Sequence, residues 1–257
     1  MTSTGEAKSW VTCPERGVRE HDGNAVTARA LEERFAERRE EREALVERKI
    51  APMGVVDPKV LAAMKKVPRH RFVPQDLADR AYRDYPLALG LGQTISQPFI
   101  VAYMTERAEV QPTDRCLEVG TGSGYQAAIL AELSAEVYSI EYFPTLAERA
   151  RVNLESLGYR VHQRIGDGRS GWIEAAPFDV ILVTAAPLTI PRTLLLQLAV
   201  GGRLIVPVGP QRRTQVLELW RRLSDATEND AFVCESLTFV EFVPFLGGDE
   251  VQPPDEE

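Results

Sequence analysis

The chain has 257 residues, of which 44% are apolar and 26% are charged, and this composition is typical of a soluble globular protein. The formal net charge of −8 argues against a general nucleic-acid binder, which normally carries a basic surface. No apolar run approaches the roughly 18 residues that a membrane span needs. The N-terminal residues lack the basic cluster and apolar block of a secretory signal, so we expect no leader and no membrane partner.

Cysteine and histidine usage argues against a disulfide framework and against a metal site. The cysteines are few and far apart, at Cys13, Cys116 and Cys234, which fits a reducing compartment such as the cytoplasm. Cys116 falls in an apolar segment and is expected to be a small core residue. The histidines, His21, His70 and His162, are not spaced with Cys, Asp or Glu as a ligand set would be. We therefore expect structural or solvent-facing histidines and no metal.

The first hundred residues read as a tail followed by helices. Residues 1–28 mix Gly, Ser, Thr and charged residues without periodicity, and we expect a disordered tail. Arg29–Lys49 is rich in Glu–Arg pairs at helical spacing, which predicts a solvent-exposed helix, or alternatively a coiled-coil arm. A further helix is expected to end at Pro68. An irregular stretch through LGLGQTIS and a helix from Pro98 to about Glu109 follow.

From residue 115 onwards, strands and helices alternate. Strands are predicted at 115–119, 136–141, 159–166, 178–186 and 201–209, with helices at 125–133, 144–158 and 191–198. This order predicts an α/β fold with a doubly wound, mostly parallel, seven-stranded sheet. The last two strands, 214–222 and 236–245, have no helix between them and are expected to form an antiparallel hairpin at the sheet edge.

A glycine-rich loop, LEVGTGSGYQ, follows the first of these strands. Ligands of open α/β sheets bind at the carboxyl ends of the strands, and glycine lets the backbone approach a ligand closely. The pattern is E-x-G-x-G-x-G, formed by Glu118, Gly120, Gly122 and Gly124. Tyr125 stands where the dinucleotide-binding fingerprint requires a third glycine. The loop therefore predicts a nucleoside-type ligand without a pyrophosphate.

Two further acidic residues stand at the ends of the next two predicted strands. Glu141 ends the second strand, 21 residues after Gly120, where a carboxylate can accept both hydroxyls of a ribose. Asp167, between Gly166 and Gly168, ends the third strand and offers an acceptor near a purine ring. A lone Glu at a strand end or a lone Asp between glycines is a weak signal. The three features in order point to one ligand site.

This combination resembles the S-adenosylmethionine-dependent methyltransferases of the Rossmann-like class I. The segments DYPLALGLGQTISQPFIVAYMTE, LEVGTGSGYQAAIL, GDGRSGW, APFDVILVTAAP, IPRTLLLQL, GGRLIVPVG and FVPF further resemble protein-L-isoaspartate O-methyltransferase. That family methylates the free carboxylate of isoaspartyl residues in damaged proteins, and the ester then closes to a succinimide. The resemblance implies S-adenosyl-L-methionine as cofactor and isoaspartyl proteins and peptides as partners. It covers about Glu41 to Leu246.

The resemblance divides the chain and assigns roles to residues. We expect N-terminal helices and a substrate loop in 29–97, a methyltransferase domain in 98–246 and an acidic tail in 247–257. The cofactor residues are expected to be Glu118, Gly120, Thr121, Gly122, Ser123, Gly124, Glu141, Tyr142, Asp167 and Gly168. Substrate contacts are expected from Ile95, Gln97, Thr184, Val243 and Pro244, with Thr94 and Ser96 as catalytic residues.

Ser96 is the active-site serine by resemblance, and we interpret it as orienting the substrate carboxylate, not as a nucleophile. A carboxylate of pKa near 4 is already ionised at pH 7, so no general base is needed. Hydroxyls and free N–H groups near a helix N-terminus can hold it. The competing interpretation is that Ser96 is a helix cap, and the two roles can coexist. Thr184 could be either a polar site group or a strand-end packing residue.

Other functions remain open at this point. The chain could methylate an aspartate in one dedicated peptide, or it could bind the cofactor or a partner without turnover. A nucleic-acid methyltransferase is disfavoured by the net charge and by TAAP at 184–187, where amine methyltransferases often carry Asp/Asn-Pro-Pro-Tyr/Phe. We expect a monomeric, cytoplasmic enzyme.

Overall fold

The computed structural model describes residues 27–211 and 213–247. Most of the predicted tail at 1–28 and almost all of the acidic tail at 247–257 lie outside the described residues, as do Cys13 and His21. No helix in the described ranges is long and apolar enough to cross a bilayer. The same residues contain no group of three or more His, Cys, Asp or Glu placed to hold a metal.

The prediction of a single solvent-exposed helix at Arg29–Lys49 is wrong. The segment is divided into α1 (Ala28–Ala36) and α2 (Arg39–Leu45), with Arg38 in the left-handed region at φ 48°. Helix α2 continues into a π-helical turn, Val46–Ile50. Arg42 is buried at 2% exposure. Its guanidinium donates to the carbonyls of Phe35 (2.6 Å) and Glu37 (3.0 Å). The break therefore satisfies a buried charge with the carbonyls at the end of α1.

The helix that was predicted to end at Pro68 is α3 (Pro58–Lys66). Short 3-10 turns at Arg69–Phe72 and Gln75–Arg80 follow it. The LGLGQTIS stretch, predicted to be irregular, is instead a small antiparallel hairpin of β1 (Leu87–Gly90) and β2 (Gln93–Ile95). Its two turn residues have positive φ, 53° at Leu91 and 67° at Gly92, the geometry of a tight hairpin turn. The helix after the hairpin is α4 (Pro98–Arg107).

The alternating strands and helices are confirmed with small boundary shifts. The strands are β3 (Arg115–Val119), β4 (Glu136–Glu141), β5 (His162–Ile165), β6 (Phe178–Val183), β7 (Leu198–Val208), β8 (Gln215–Arg222) and β9 (Phe232–Val240). The helices between them are α5 (Tyr125–Leu133), α6 (Pro144–Ser156) and α7 (Arg192–Leu196). Within the described residues the sheet has seven strands in the order β5-β4-β3-β6-β7-β8-β9.

The sheet is parallel from β5 to β7, and β8 and β9 pair antiparallel at its edge, as predicted for the C-terminal hairpin. Alternate residues of each strand face opposite layers. Cys116 packs in the layer that contains Met104 and Leu130, whereas Leu117 packs with Phe178 and Leu194. The strand order reverses beside β3, and such a reversal opens a crevice at the carboxyl ends of the strands.

The N-terminal helices share a core with the sheet domain. One hydrophobic cluster contains Leu45 and Val60 from α2 and α3 together with Ile129 and Leu154 from α5 and α6. Helix α1 packs against the end of α6, where Phe35 meets Tyr159 edge-on with ring centroids 6.1 Å apart. The predicted boundary between residues 97 and 98 is therefore crossed by continuous packing.

Candidate functional site

A cleft with about 730 Å³ of empty space, partly open to solvent, lies at the carboxyl ends of β3, β4 and β6. It is bordered by the glycine loop, by the ends of these strands and by the segment 243–246. Most of the predicted cofactor residues line it: Glu118, Gly120, Thr121, Gly122, Ser123, Glu141, Tyr142 and Gly168. The structure thus brings together the Glu118 and Glu141 side chains from the ends of β3 and β4, whereas the segment after β5 contributes only the glycines Gly166 and Gly168.

The backbone of the glycine loop is largely satisfied within the protein. The N–H groups of Gly120 and Thr121 both donate to the Ile140 carbonyl (2.8 and 3.2 Å), and that of Gly124 donates to the Thr121 carbonyl (2.8 Å). The Gly122 N–H donates to the Glu141 carboxylate (2.7 Å). A phosphate-binding loop instead needs several free N–H groups. The loop therefore suits a ligand without phosphates, and it fits S-adenosylmethionine better than a dinucleotide.

Two of the loop glycines are required by close packing. Gly120 has φ 102°, and a side chain there would collide with the Thr184 hydroxyl. Gly124, which does not line the cleft, has φ 88° and would meet Leu154 (3.2 Å) and Ala150 (3.3 Å) of α6. Helix α6 also holds the loop through Asn153, whose amide donates to the Ser123 carbonyl (3.2 Å). The loop conformation is therefore supported from behind by α6.

Glu118 is a fully buried acid in the wall of the cleft. Its Oε2 accepts a hydrogen bond from the Ser139 hydroxyl, which in turn contacts the Thr121 hydroxyl. Its Oε1 has no partner of normal hydrogen-bond geometry within the described residues, although the Ala127 N–H is near enough to favour the ionised form slightly. Burial, helped by the charge of Glu141, raises the pKa of Glu118 to about 8. A cation bound in the cleft would favour the ionised form of Glu118.

Glu141 lies at the end of β4 and is 5% exposed. Burial raises the pKa of its carboxyl, and hydrogen bonds from backbone N–H groups oppose that shift. These bonds come from Gly122 to Oε2 (2.7 Å) and from Phe143 to Oε1 (3.0 Å). Each carboxylate oxygen retains further acceptor capacity. Glu141 can therefore fix the glycine loop and accept ribose hydroxyls at the same time.

Asp167 is not placed as the sequence pattern predicts. Its neighbours Gly166 and Gly168 line the cleft, whereas Asp167 does not. The Asp167 carboxylate accepts the N–H of Arg169 (2.9 Å), and it lies against Gly247, where a side chain would collide with it. Asp167 therefore joins the third strand end to the C-terminal segment that borders the cleft. A role as purine acceptor stays a prediction.

A second cavity, with about 930 Å³ of empty space that includes open solvent, adjoins the first. Its walls combine apolar residues, such as Ile100, Phe239 and Phe242, with polar ones that include Thr214 and Glu241. Four residues border both cavities, namely Thr94, Ser96, Thr184 and Val243. Ile95 lines the first cavity and Gln97 the second. No Lys, Arg or His of the described chain lines either one.

The turn that carries Ser96 joins β2 to α4. The N-cap of α4 is Gln97, and no side chain of the cap residue itself caps the helix. The Ser96 hydroxyl has no hydrogen-bond partner in the part of the chain that the structure describes, and the same holds for the N–H groups of Ser96 and Gln97. The interpretation of Ser96 as a helix cap is therefore wrong. Its hydroxyl and two nearby N–H groups are unpaired donors where the two cavities meet.

Thr184 and the segment 243–245 are fixed by hydrogen bonds within the protein. The Thr184 hydroxyl donates its proton to the Gly120 carbonyl (2.6 Å), and the Val119 carbonyl lies 3.1 Å away as the longer of the two possible acceptors. The Val243 carbonyl accepts the Ala186 N–H (2.8 Å), and the Phe245 N–H donates to the Ala186 carbonyl (3.0 Å). Thr184 thus ties β6 to the glycine loop, and the backbone around Pro244 is already paired with the end of β6.

Several residues of the site were missed from the sequence. Ser139 connects Glu118 with Thr121 through its hydroxyl, and its signal in the sequence is a serine between Tyr138 and Ile140 in a largely buried strand. Phe245 and Leu246 border the cleft from the C-terminal segment, and Gln126 from α5. Asp84 holds the start of α4, with its carboxylate accepting the Phe99 N–H (2.9 Å). These contacts join segments far apart in the chain, which no local pattern reveals.

Comparisons with known proteins agree with this geometry. The family model for protein-L-isoaspartate(D-aspartate) O-methyltransferase matches residues 40–250. A protein-L-isoaspartate O-methyltransferase of Picosynechococcus sp. is 53% identical over 207 residues, covering 80% of this chain and 90% of the relative. One of Opitutus terrae is 53% identical over 220 residues, covering 85% and 91%. A solved protein-L-isoaspartate O-methyltransferase superposes with a TM-score of 0.70 at 31% identity, covering 81% of this chain and 66% of that one.

The family match covers the glycine loop, Glu118, Glu141, the Ser96 turn and the C-terminal segment that borders the cleft. It begins after α1, which precedes residue 40. With the family model spanning most of the chain and relatives above 50% identity, the chain belongs to the protein-L-isoaspartate(D-aspartate) O-methyltransferase family.

Proposed function

We propose that this protein transfers a methyl group from S-adenosylmethionine to the free carboxylate of isoaspartyl residues in proteins and peptides. The observation that carries the proposal is the junction of the two cavities at Ser96. The Ser96 hydroxyl and the N–H groups of Ser96 and Gln97 have no partner within the described residues. They can therefore hold the carboxylate of a substrate beside the methyl group of the cofactor. Methylation of the carboxylate allows the chain to close to a succinimide, which begins repair.

The residues of the first cavity suit the cofactor. Glu141 would hold the ribose hydroxyls, and the loop around Gly120 and Gly122 leaves space for the nucleoside and amino-acid parts. Glu118 would ionise beside a positively charged ligand, because a nearby cation favours the charged form of a carboxyl group. When bound, S-adenosylmethionine supplies a methyl group on a positively charged sulfonium, which is a good leaving group.

The acceptor needs orientation more than activation. Its carboxylate is ionised at neutral pH, so no base has to remove a proton. Ser96 would hold the carboxylate through its hydroxyl and its N–H, with the Gln97 N–H as a further donor. Neutral donors leave the carboxylate nucleophilic, in keeping with the lack of Lys, Arg and His along both described cavities. Orientation of this kind can contribute about 7–11 kcal/mol to a reaction between two bound groups.

The second cavity would take the chain that flanks the isoaspartyl residue. Its apolar wall at Ile100, Phe239 and Phe242 suits a peptide recognised by shape and backbone more than by charge. Because the backbone at Val243 and Phe245 is already paired with Ala186, a peptide would pack over this segment without adding a strand to it.

A dedicated-peptide methyltransferase is the alternative within the same chemistry. Its support was the N-terminal region outside the family match. Helix α1 in that region contacts Ser156, Gly158 and Tyr159 near the end of α6, and none of these residues lines either cavity. The described part of that region, 27–39, therefore gives the alternative no support, and the relatives' family favours general repair. We further infer a cytoplasmic enzyme without nucleic-acid partners, which the sparse cysteines and the net charge support. A monomer without membrane partners stays an expectation.

The test is methyl transfer from labelled S-adenosylmethionine to pairs of peptides of identical sequence that contain either isoaspartate or aspartate. The proposal expects label in the isoaspartyl peptide and background in its aspartyl twin, across several unrelated sequences. Equal labelling of both members of a pair would overturn it. Labelling of a single sequence alone would instead favour the dedicated-peptide alternative.

A further inference from the structure

The start of α4 is capped by a residue from a separate loop. Asp84 lies in the segment before β1, and its carboxylate makes two hydrogen bonds to the first residues of the helix. Oδ1 accepts the Phe99 N–H and Oδ2 accepts the side-chain amide of Gln97, both at 2.9 Å. Asp84 lines neither cavity. It therefore acts on the site through Gln97 and Phe99, the residues on either side of Pro98.

The Asp84 carboxylate accepts the Phe99 N–H, a donor that could otherwise bind the carboxylate of the substrate. Pro98 has no N–H, so the Phe99 amide is an early donor of the helix end. An open helix N-terminus attracts any nearby carboxylate. With Phe99 already paired to Asp84, the donors at this turn that lack a partner among the described residues are those of Ser96, the Gln97 N–H and the Ile100 N–H. The cap thus separates the donors that hold the helix from those that face the cavities.

The same cap restrains Ser96 from its C-terminal side. On the N-terminal side, Ile95 is buried at 3% exposure and pairs with Leu87 in the β1–β2 hairpin. On the other side, the Gln97 side chain and the Phe99 backbone are both held by Asp84. Ser96 has no hydrogen bond of its own within the described residues, so its position depends on these two anchors.

A buried arginine, Arg69, lies near enough to Asp84 for the two charges to interact. Arg69 is 0% exposed; its Nε donates to the Ala81 carbonyl (2.9 Å), and its guanidinium lies 5.1 Å from the centroid of the Tyr125 ring. Its two terminal nitrogens have no hydrogen-bond partner within the described residues. Burial lowers the pKa of Arg69 to about 10, and the negative charge of Asp84 acts in the opposite direction. Tyr125 begins α5 directly after the glycine loop, so Arg69 connects the surroundings of the cofactor loop with those of Asp84.

We propose that Asp84 is a positioning residue for methyl transfer: its two hydrogen bonds hold the Ser96 turn at the distance and angle that the reaction needs. This inference rests on the proposed function, because it assumes that Ser96 orients the acceptor carboxylate. Asp84 itself touches neither cofactor nor substrate.

The test compares three variants of the full-length protein. Asp84→Ala removes both hydrogen bonds, and we expect kcat/KM for an isoaspartyl peptide to fall about 100-fold, mainly in kcat, as misplacement by about 1 Å can cause. Asp84→Asn keeps an oxygen for the Phe99 N–H, and a flipped Gln97 amide can pair with its NH₂, so most of the activity should return. Asp76→Ala, at an exposed aspartate of the preceding 3-10 turn, is the matched control and should behave as wild type.

Two further readouts separate positioning from a general loss of structure. S-adenosylhomocysteine affinity by calorimetry should be the same in all variants, because Asp84 lies outside the cofactor cleft. Hydrogen exchange of the peptide segment containing Phe99 should be faster in Asp84→Ala and near wild type in Asp84→Asn. Wild-type kcat/KM in Asp84→Ala, equal defects in Ala and Asn variants, or a parallel loss of cofactor affinity would each overturn the inference. If wild-type protein labels isoaspartyl and aspartyl peptides equally, the proposed function fails, and hydrogen exchange still decides whether Asp84 holds the turn.

Discussion

The buried acid Glu118 makes a prediction about stability that can be worked out from its surroundings. Burial raises the pKa of Glu118 from its ordinary value of 4.5 to about 8. The folded protein therefore binds this proton more tightly than the unfolded chain does. The stability that depends on it is fully present below pH 4.5, declines as the pH rises towards 8 and changes no further above that. At pH 7 the loss is on the order of 3 kcal/mol.

Glu118→Gln removes this titration while keeping the shape of the side chain and an oxygen for the Ser139 hydroxyl. Between pH 5 and pH 7 we expect wild type to lose about 2.5 kcal/mol of unfolding free energy relative to the variant. Urea unfolding at the two pH values measures the difference. Glu32→Gln, at an exposed carboxyl of α1, is the control. If the difference in unfolding free energy between Glu118→Gln and wild type did not change with pH, Glu118 would not be a buried neutral acid.

The same proton should appear in cofactor binding. A cationic ligand favours the ionised form of Glu118, so binding releases a proton. We expect wild-type affinity for S-adenosylmethionine to rise with pH up to about 8, and the affinity of Glu118→Gln to be weaker and to lack this dependence. Calorimetry in buffers of different ionisation enthalpy would detect the released proton. If the cofactor affinity of both proteins depended on pH in the same way, Glu118 would not be the group that releases the proton.

Three further predictions concern the catalytic turn, the ribose contact and the N-terminal helix. Ser96→Ala should lower turnover on an isoaspartyl peptide at least about tenfold while leaving cofactor affinity unchanged; full turnover would leave Ser96 without a role. Glu141→Ala should weaken cofactor binding by about 10- to 100-fold in calorimetry, because two ribose hydrogen bonds and the support of Gly122 are lost; unchanged affinity would contradict the assignment. Deletion of residues 1–38 should destabilise the protein by roughly 3 kcal/mol more than deletion of 1–26 in urea unfolding, because buried Arg42 loses the carbonyls of Phe35 and Glu37; equal stability of the two deletions would refute a structural role for α1.

Much of the sheet domain could be predicted because its signals are local. The strands β3, β4 and β6 are short and largely apolar; α5 is apolar along most of its length, and α6 has one buried face. Glycine in the loop after β3 and Glu141 at the end of β4 lie where the rule for open α/β sheets places a ligand. Those features were enough to predict the position of the cleft from the sequence.

The features that sequence reasoning missed are long-range or very short. The β1–β2 hairpin has only seven or so residues of strand and depends on positive φ at Leu91 and Gly92. The break between α1 and α2 exists because Arg42 is buried, which a helical pattern of Arg and Glu does not reveal. Asp84 caps a helix that begins 14 residues later, and Asp167 turns towards Gly247 at the far end of the chain.

The position of the methyl group in the product tests the central claim most directly. An aged protein mixture is incubated with labelled S-adenosylmethionine and the enzyme, and tandem mass spectrometry locates the label. The account predicts an ester on the α-carboxyl group of isoaspartyl residues, with the same sites unlabelled in freshly prepared protein. Label on ordinary aspartate side chains, or on nitrogen atoms, would contradict it.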